Sequence, residues 1–338
     1  MASDTPQLIS PWPHRVAVAM VCATFPLIWV GGLVTTHQAG MAVPDWPDTY
    51  GYNLFLYPLS TWFFGPFDLF IEHGHRLLGA TVGLLTIAFV IAVFRTDTRV
   101  GMRSLAVVAL VGVCLQGGLG GMRVLLDERT LAMIHACVGP AFFAFTVALA
   151  AMTSECWRGA AQSVSDPLSG KIQRLAGLTV VLACLQLVLG AQLRHTPIDA
   201  GPAFFRAALY FHLFIAVALV VHSALLASST ARLRKKSKPL IVPSFTLLGL
   251  MAVQMALGAG SWVVKYGWPT WLGEHAWTAS YTVRREDLLG LLMVTAHVAV
   301  GSSILATSLL VALRSFHYLK AAPTARISTG HPLLEVAV

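Results

Sequence analysis

Four histidines sit at matched places in long stretches that carry no charge. His75 stands just ahead of the run Leu77 to Phe94, and His135 is the sixth residue of the run Thr130 to Ser154. His212 is the sixth residue of the run Ala207 to Ala231, and His297 the tenth of the run Leu288 to Leu313. Ionisable groups in such surroundings are costly and are usually kept for function. A lone imidazole there would read as a helix-packing contact; four at one depth read as ligands. One per alternate helix, paired within each half of the chain, is what axial ligation of a haem between facing helices requires. Glu72 lies three residues before His75, so on a helix both project from one face about 5–6 Å apart at Cβ. The position three before His212 is Leu209. A carboxylate therefore accompanies one histidine pair and not the other, which points to chemistry in the first half and a structural or electron-carrying cofactor in the second. The competing reading of Glu72 is an acid placed at a helix N-terminus to suit the helix dipole.

These side chains must be positioned by helices in a membrane. Only 11% of the 338 residues are charged, where a soluble domain has about 25%. Mean hydropathy is +0.71, which excludes an ordinary soluble protein. Eight runs lack Asp, Glu, Lys and Arg: Val16 to Thr36, Leu77 to Phe94, Ser104 to Met122, Thr130 to Ser154, Leu175 to Leu193, Ala207 to Ala231, Pro239 to Val264 and Leu288 to Leu313. Each is long enough to span a bilayer as a helix. With both termini on the cytoplasmic side, 15 of the 23 Lys and Arg fall on inner segments, as the positive-inside rule demands. The cluster Arg232 to Lys238 then reads as an inner loop and not as a nucleic-acid site. The four histidine-bearing spans all begin on the outer side, so at about 1.5 Å per residue their imidazoles lie in the outer half of the bilayer. The segment Met1 to Pro13 resembles neither a transit peptide nor a cleavable signal, which favours a bacterial cytoplasmic membrane. Cys22, Cys114, Cys137 and Cys184 fall in apolar runs and read as small buried apolar residues, with Cys156 beside an inner loop.

The chain also repeats itself. Gln116-Gly-Gly-Leu-Gly120, Gln186-Leu-Val-Leu-Gly190 and Gln254-Met-Ala-Leu-Gly258 recur in alternate spans, and Gly32 to His37 resembles Gly190 to His195. Gln116 and Gln254 are 138 residues apart, His75 and His212 137. Equivalent elements separated by four spans keep one orientation, so the expected fold is an all-α integral membrane protein of two tandem, pseudo-symmetric four-helix bundles. The expected units are an N-terminal half over 1–156, an inner linker over 157–171, a C-terminal half over 172–315 and a cytoplasmic tail over 316–338. The first outer loop, 37–71, is long and rich in aromatic and proline residues, and could act as an interfacial belt or as a lid.

These residues resemble the haem A synthase family of cytochrome oxidase assembly. The likeness runs from Gly31 to about Leu313. It is carried by Gly31-Gly-Leu-Val-Thr-Thr, Ala39-Gly-Met-Ala-Val-Pro-Asp-Trp-Pro47, Glu72-His-Gly-His-Arg-Leu-Leu-Gly79, the Gln-Gly-Gly-Leu-Gly-Gly stretch from Gln116, Leu131-Ala-Met-Ile-His135, the His212 region and Thr295-Ala-His-Val-Ala-Val-Gly301. The resemblance implies a haem b held by His212 and His297 and a substrate haem O site between His75 and His135. It further implies oxidation of the haem O C8 methyl to a formyl group by successive hydroxylations with oxygen from water, and Glu72 as the catalytic carboxylate. Implied partners are haem O, haem O synthase, an electron donor or acceptor and the lipid bilayer, with no nucleic acid. Arg76, Arg123 and Arg194 lie near outer ends and are candidate propionate contacts. Relatives with a similar loop carry cysteines where this chain has Val43 and Thr49, so no thiol there can be required here. The alternative is a di-haem b cytochrome that uses the same four histidines only to pass electrons.

Overall fold

A computed structural model of the chain describes residues 10–159, 164–197, 200–234, 237–269, 273 and 288–321. Lys235, Lys236 and Arg326, which entered the topology count, and His275 and His331 lie outside the described residues. Helices run in the order α1 Trp12–Thr36, α2 Leu59–Phe64, α3 Phe67–Thr96, α4 Val100–Leu125, α5 Arg129–Thr153, α6 Glu155–Arg158, α7 Ser169–Arg194, α8 Pro202–Ala231, α9 Lys238–Tyr266 and α10 Leu288–Tyr318. All but α2 and α6 are long and apolar enough to cross a membrane, which gives eight spans among the described residues. Many of their hydroxyls are satisfied within the helix that carries them, although those of Ser169, Ser223, Ser261, Thr295 and Ser308 are buried without a partner. Thr24, Thr86, Thr153, Thr179 and Ser244 each donate to the carbonyl four residues back, as a medium without water requires. Pro26, Pro140 and Pro243 are accommodated inside continuous helices.

The expected start of the second span moves. The uncharged run begins at Leu77, yet α3 begins at Phe67, because its charged residues are paired. Asp68 lies 2.9 Å from His37, and Glu72 lies 3.1 Å from Arg76. His75 is therefore inside the helix and not ahead of it. Glu72 is a full turn past the N-terminus, where Asp68 is the acid of the first turn. The helix-dipole reading of Glu72 fails on that count.

Helix α1 packs on α3 and α5, and α4 on α3 and α5. Helices α7 and α9 each pack on α8 and α10, and α10 also contacts α1 and α5. Two apolar cores form. One gathers Met20, Val82, Phe89, Met102, Ala106 and Leu149; the other gathers Ile172, Leu219, Leu226, Leu240, Leu247 and Val311. Outward faces stay apolar, with Leu84, Leu115 and Val217 each more than half exposed, as suits contact with lipid tails. Cys22, Cys114 and Cys184 lie on exposed faces and Cys137 is half-buried. This corrects the expectation of buried thiols. In a bilayer the outer face is as apolar as the interior, so a small sulfur gains nothing by turning inward.

At the end of the molecule away from the long loop, the described part of the linker includes a strand. Val164–Asp166 pairs in parallel with Leu319–Ala321, Val164 opposite Leu319, so α10 and the start of the expected tail clasp the linker between the halves. Trp157 stacks on His317 at 3.8 Å and 8°, and His317 Nε2 meets the Trp157 carbonyl at 3.1 Å. Asp97, 4% exposed, accepts from Arg99 at 2.7 Å and Arg158 at 2.9 Å. Burial pushes its carboxyl upward, but hydrogen bonds from Arg99 and the charges of Arg99 and Arg158 outweigh this and hold it below the usual range. A depressed folded-state pKa gives stability present above the ordinary carboxylate value and lost as pH falls through the folded one. Asp97→Asn is thus expected to cost about 2–4 kcal/mol near neutral pH, toward the low side for a buried pair because Arg99 is partly solvated. Thermal unfolding in detergent should show the wild type losing this advantage below about pH 4, where the variant changes less; equal melting temperatures at pH 7 would sink the assignment.

Candidate functional site

The imidazoles of His75 on α3 and His135 on α5 face each other with ring centres 6.4 Å apart. Those of His212 on α8 and His297 on α10 repeat the spacing at 6.4 Å. Two in-line metal–imidazole bonds of about 2.0 Å, plus about 1.2 Å from each nitrogen to its ring centre, sum to about 6.4 Å. Both pairs thus have the separation of a single metal bound by two histidines. Among the described residues no group of three or more His, Cys, Asp or Glu side chains is placed to hold a bare ion. A two-histidine site suits a metal whose other ligands come from a macrocycle.

Each ring is seated by a glycine of the preceding long helix. A Cβ on Gly31 of α1 would come 2.7 Å from His75 Cε1, and one on Gly120 of α4 would come 2.9 Å from His135 Cε1. The distances are 3.3 Å for Gly190 of α7 against His212 and 3.1 Å for Gly258 of α9 against His297. The repeated glutamines, four residues before three of these glycines, reach the same histidines. Gln116 Nε2 donates to the His135 carbonyl at 3.0 Å, and His135 Nδ1 meets the Gln116 carbonyl at 3.1 Å. With Nδ1–H donated to that carbonyl, Nε2 is left for a metal. Gln186 Nε2 lies 3.1 Å from His212 Nε2, and Gln254 Nε2 lies 3.5 Å from His297 Nε2. Buried and without partners around the second pair are His212 Nδ1, Gln186 Oε1 and Gln254 Oε1. The repeat that marks the duplication in the sequence is therefore also a histidine seat. Its fourth copy was missed because Leu27 takes the glutamine's place ahead of Gly31, so no amide side chain occupies that position beside His75. The likeness of Gly32–His37 to Gly190–His195 pairs Gly190 with Gly32, whereas the glycine on His75 is Gly31 and Gly32 abuts Thr295 two residues before His297.

Glu72 is 2% exposed. Its Oε1 lies 3.1 Å from Arg76 and 3.8 Å from Arg123, and Oε2 is buried with no hydrogen-bond partner. Arg76 donates through Nη1 to the carbonyls of Asp45 and Asp48 and through Nη2 to that of Val43, at 2.6–2.8 Å. Arg194 donates to the Gly32 carbonyl at 2.8 Å and to Thr36 Oγ1 at 2.6 Å, tying α7 to α1. Of the three arginines named as propionate contacts, Arg76 is thus engaged by the loop and by Glu72, Arg123 faces Glu72 and Arg194 is bonded to α1.

The long loop lies over this site. Gly40 packs on Arg123, and Trp46 packs on Gly121, the residue after the seat of His135. Thr49 Oγ1 bonds His73 Nδ1 at 3.0 Å, and His73, buried, contacts the rings of Tyr57 at 4.9 Å and Trp62 at 5.2 Å. Among the residues of the sequence signature, His73 is therefore a loop anchor. Val43 and Thr49 are both fully buried, one by packing and one by this hydrogen bond. The Asp45 carboxylate accepts from the amides of Tyr50 at 2.9 Å and Gly51 at 2.7 Å. Burial alone would raise it, but those amides and the charge of Arg76 bring it below the usual range. The connection after α7 is much shorter: α8 begins at Pro202, eight residues after α7 ends at Arg194. His195, in that connection, is pushed down to about 4 by burial and then by the charges of Arg194, Arg123 and Arg129.

Fold and site together define a multi-pass membrane protein with two equivalent histidine pairs, only one of which has a buried carboxylate beside it among the described residues. Residues 14–209 match the COX15-CtaA family of cytochrome oxidase assembly proteins, and the chain belongs to that family. The match includes Glu72, His75 and His135 and ends just before His212. The chain is also similar to a protein of Symbiobacterium thermophilum named Heme A synthase, at 30% identity over 213 residues, which cover 56% of this chain and 68% of the relative.

Proposed function

We propose that this protein is a haem A synthase of the bacterial cytoplasmic membrane, converting haem O to haem A in its first half. The observation that carries this reading is the asymmetry of the pairs. Both have the 6.4 Å spacing, yet among the described residues only His75 and His135 have a buried carboxylate with one free oxygen and a loop packed beside them. In this reading the two halves are tandem four-helix bundles with termini on the cytoplasmic side and the histidine pairs toward the outer face.

His75 and His135 hold substrate haem O. Conversion of methyl to formyl takes up one water in net terms and releases four protons and four electrons: the first hydroxylation gives the alcohol, the second the geminal diol, and loss of water gives the aldehyde. Glu72, with Oε1 fixed by Arg76, presents Oε2 to stabilise cationic character at the methyl carbon and to accept a proton from the attacking water. Trp46 and the loop exclude bulk solvent from that carbon. His212 and His297, seated by Gly190, Gly258 and their glutamines, would hold haem b, which supplies one-electron transfer to an external acceptor.

The test is co-expression with a haem O source, followed by haem extraction and mass analysis. Haem A in the extract, dependent on this chain, supports the synthase. Haem b alone supports the di-haem cytochrome and overturns the proposal.

A further inference from the structure

We infer that Arg76 is the positioning residue of the first-half site: a single guanidinium locks the outer loop over the His75–His135 pair and holds Glu72 with its second oxygen free. This rests on the synthase reading for the meaning of Glu72, though not for the geometry.

Arg76 has two terminal nitrogens, and both are divided between the loop and the site. Nη1 binds the carbonyls of Asp45 and Asp48, and Nη2 binds the carbonyl of Val43 together with Glu72 Oε1. Its side chain is only 9% exposed, so the bonds to Asp45, Val43 and Glu72 are partly shielded from competing water, while that to Asp48 is exposed. A planar, always-charged fork can serve several acceptors at fixed angles, which an ammonium on a flexible stem cannot. The loop carbonyls converge on it because their segment is already bent. Asp45 gathers the amides of Tyr50 and Gly51, and Thr49 and Tyr52 exchange backbone hydrogen bonds. Gly40 on Arg123 and Trp46 on Gly121 fix the same segment at two further points. Closing the loop and aiming the carboxylate are therefore linked: when the segment 43–48 lifts, Arg76 loses the three acceptors that fix its guanidinium, and its contact with Glu72 Oε1 is no longer held in one orientation. Arg123, at 3.8 Å, leaves Glu72 charged-paired but without a short directional bond.

The experiment compares full-length wild type, Arg76→Gln, Arg76→Lys and Asp45→Ala in lipid nanodiscs. Hydrogen exchange is read on amides 43–52, and haem O conversion on the same preparations. Arg76→Gln is expected to speed loop exchange at least tenfold and to lower kcat at least tenfold while changing KM less than about threefold. Arg76→Lys should recover part of kcat through charge and little of the loop protection. Asp45→Ala, which leaves the Arg76–Glu72 contact in place, should loosen the loop and lower kcat by a smaller factor. Loop protection unchanged in Arg76→Gln overturns the inference, as does a loosened loop with kcat within twofold of wild type. If the wild type makes no haem A, the synthase reading fails, and loop exchange alone still decides whether Arg76 is the latch.

Discussion

Glu72→Gln is expected to abolish haem A formation, by at least a hundredfold, while the b-type spectrum of the second half persists. The substitution keeps the shape of the side chain and an oxygen for Arg76, so the lost quantity is charge. A hundredfold corresponds to about 3 kcal/mol of activation free energy, within the range for removing a general base or an electrostatic stabiliser. The same change leaves Arg76 and Arg123 facing a neutral amide, with side chains 9% and 19% exposed. Breaking a buried pair typically costs about 3–5 kcal/mol. The three loop carbonyls that continue to accept from Arg76 should hold the loss below that range. Glu72→Asp separates the two effects, since it restores charge and shortens reach: partial conversion is expected. Haem A output from Glu72→Gln near the wild-type level would remove Glu72 from the chemistry.

His297→Ala is expected to remove the b-type haem altogether and with it all turnover. The ring is one of two that would reach the iron, and Gly258 and Gln254 are shaped around it. Gly258→Val should reproduce the loss without touching a ligand, because a Cβ alone would already stand 3.1 Å from His297 Cε1, tighter than ordinary van der Waals contact, and valine adds two methyls to that carbon. Absorption spectra of the purified variants provide the measurement. A retained b-type spectrum in His297→Ala would break the pairing with His212. A retained spectrum in Gly258→Val alone would show that the seat can shift. Haem O binding to the first half, measured by titration, should survive both substitutions, since His75 and His135 are held by α1 and α4.

Much of this arrangement was legible from residue types, because a membrane sequence has few polar residues and each one is informative. The eight spans follow from uncharged runs, and the histidine pairs from their common depth. The asymmetry of Glu72 against Leu209 needs only the repeat. What escaped were contacts whose acceptors are backbone atoms. Nothing in the sequence distinguishes the carbonyls of Val43, Asp45 and Asp48 from any others, so Arg76 looked like a free cation near a haem edge. The glycine seats escaped for a related reason. Gly31 and Gly32 are identical as letters, and only the rotation of α1 decides that Gly31 meets His75 while Gly32 meets Thr295. The length of α3 was underestimated because charges were counted as exits from the membrane. Charges paired within the protein do not have to leave.

The clasp between the linker and the end of α10 constrains the order of assembly during synthesis. Val164 finds its strand partner at Leu319, 155 positions later, and Trp157 stacks on His317. Both contacts must wait until the last helix has emerged from the ribosome. Throughout insertion of α7, α8 and α9 the strand Val164–Asp166 lacks its partner strand, so the first four spans can settle before the clasp is closed. Closure by α10 then ties the linker to the strand Leu319–Ala321, and a product truncated before that strand would leave the seam open.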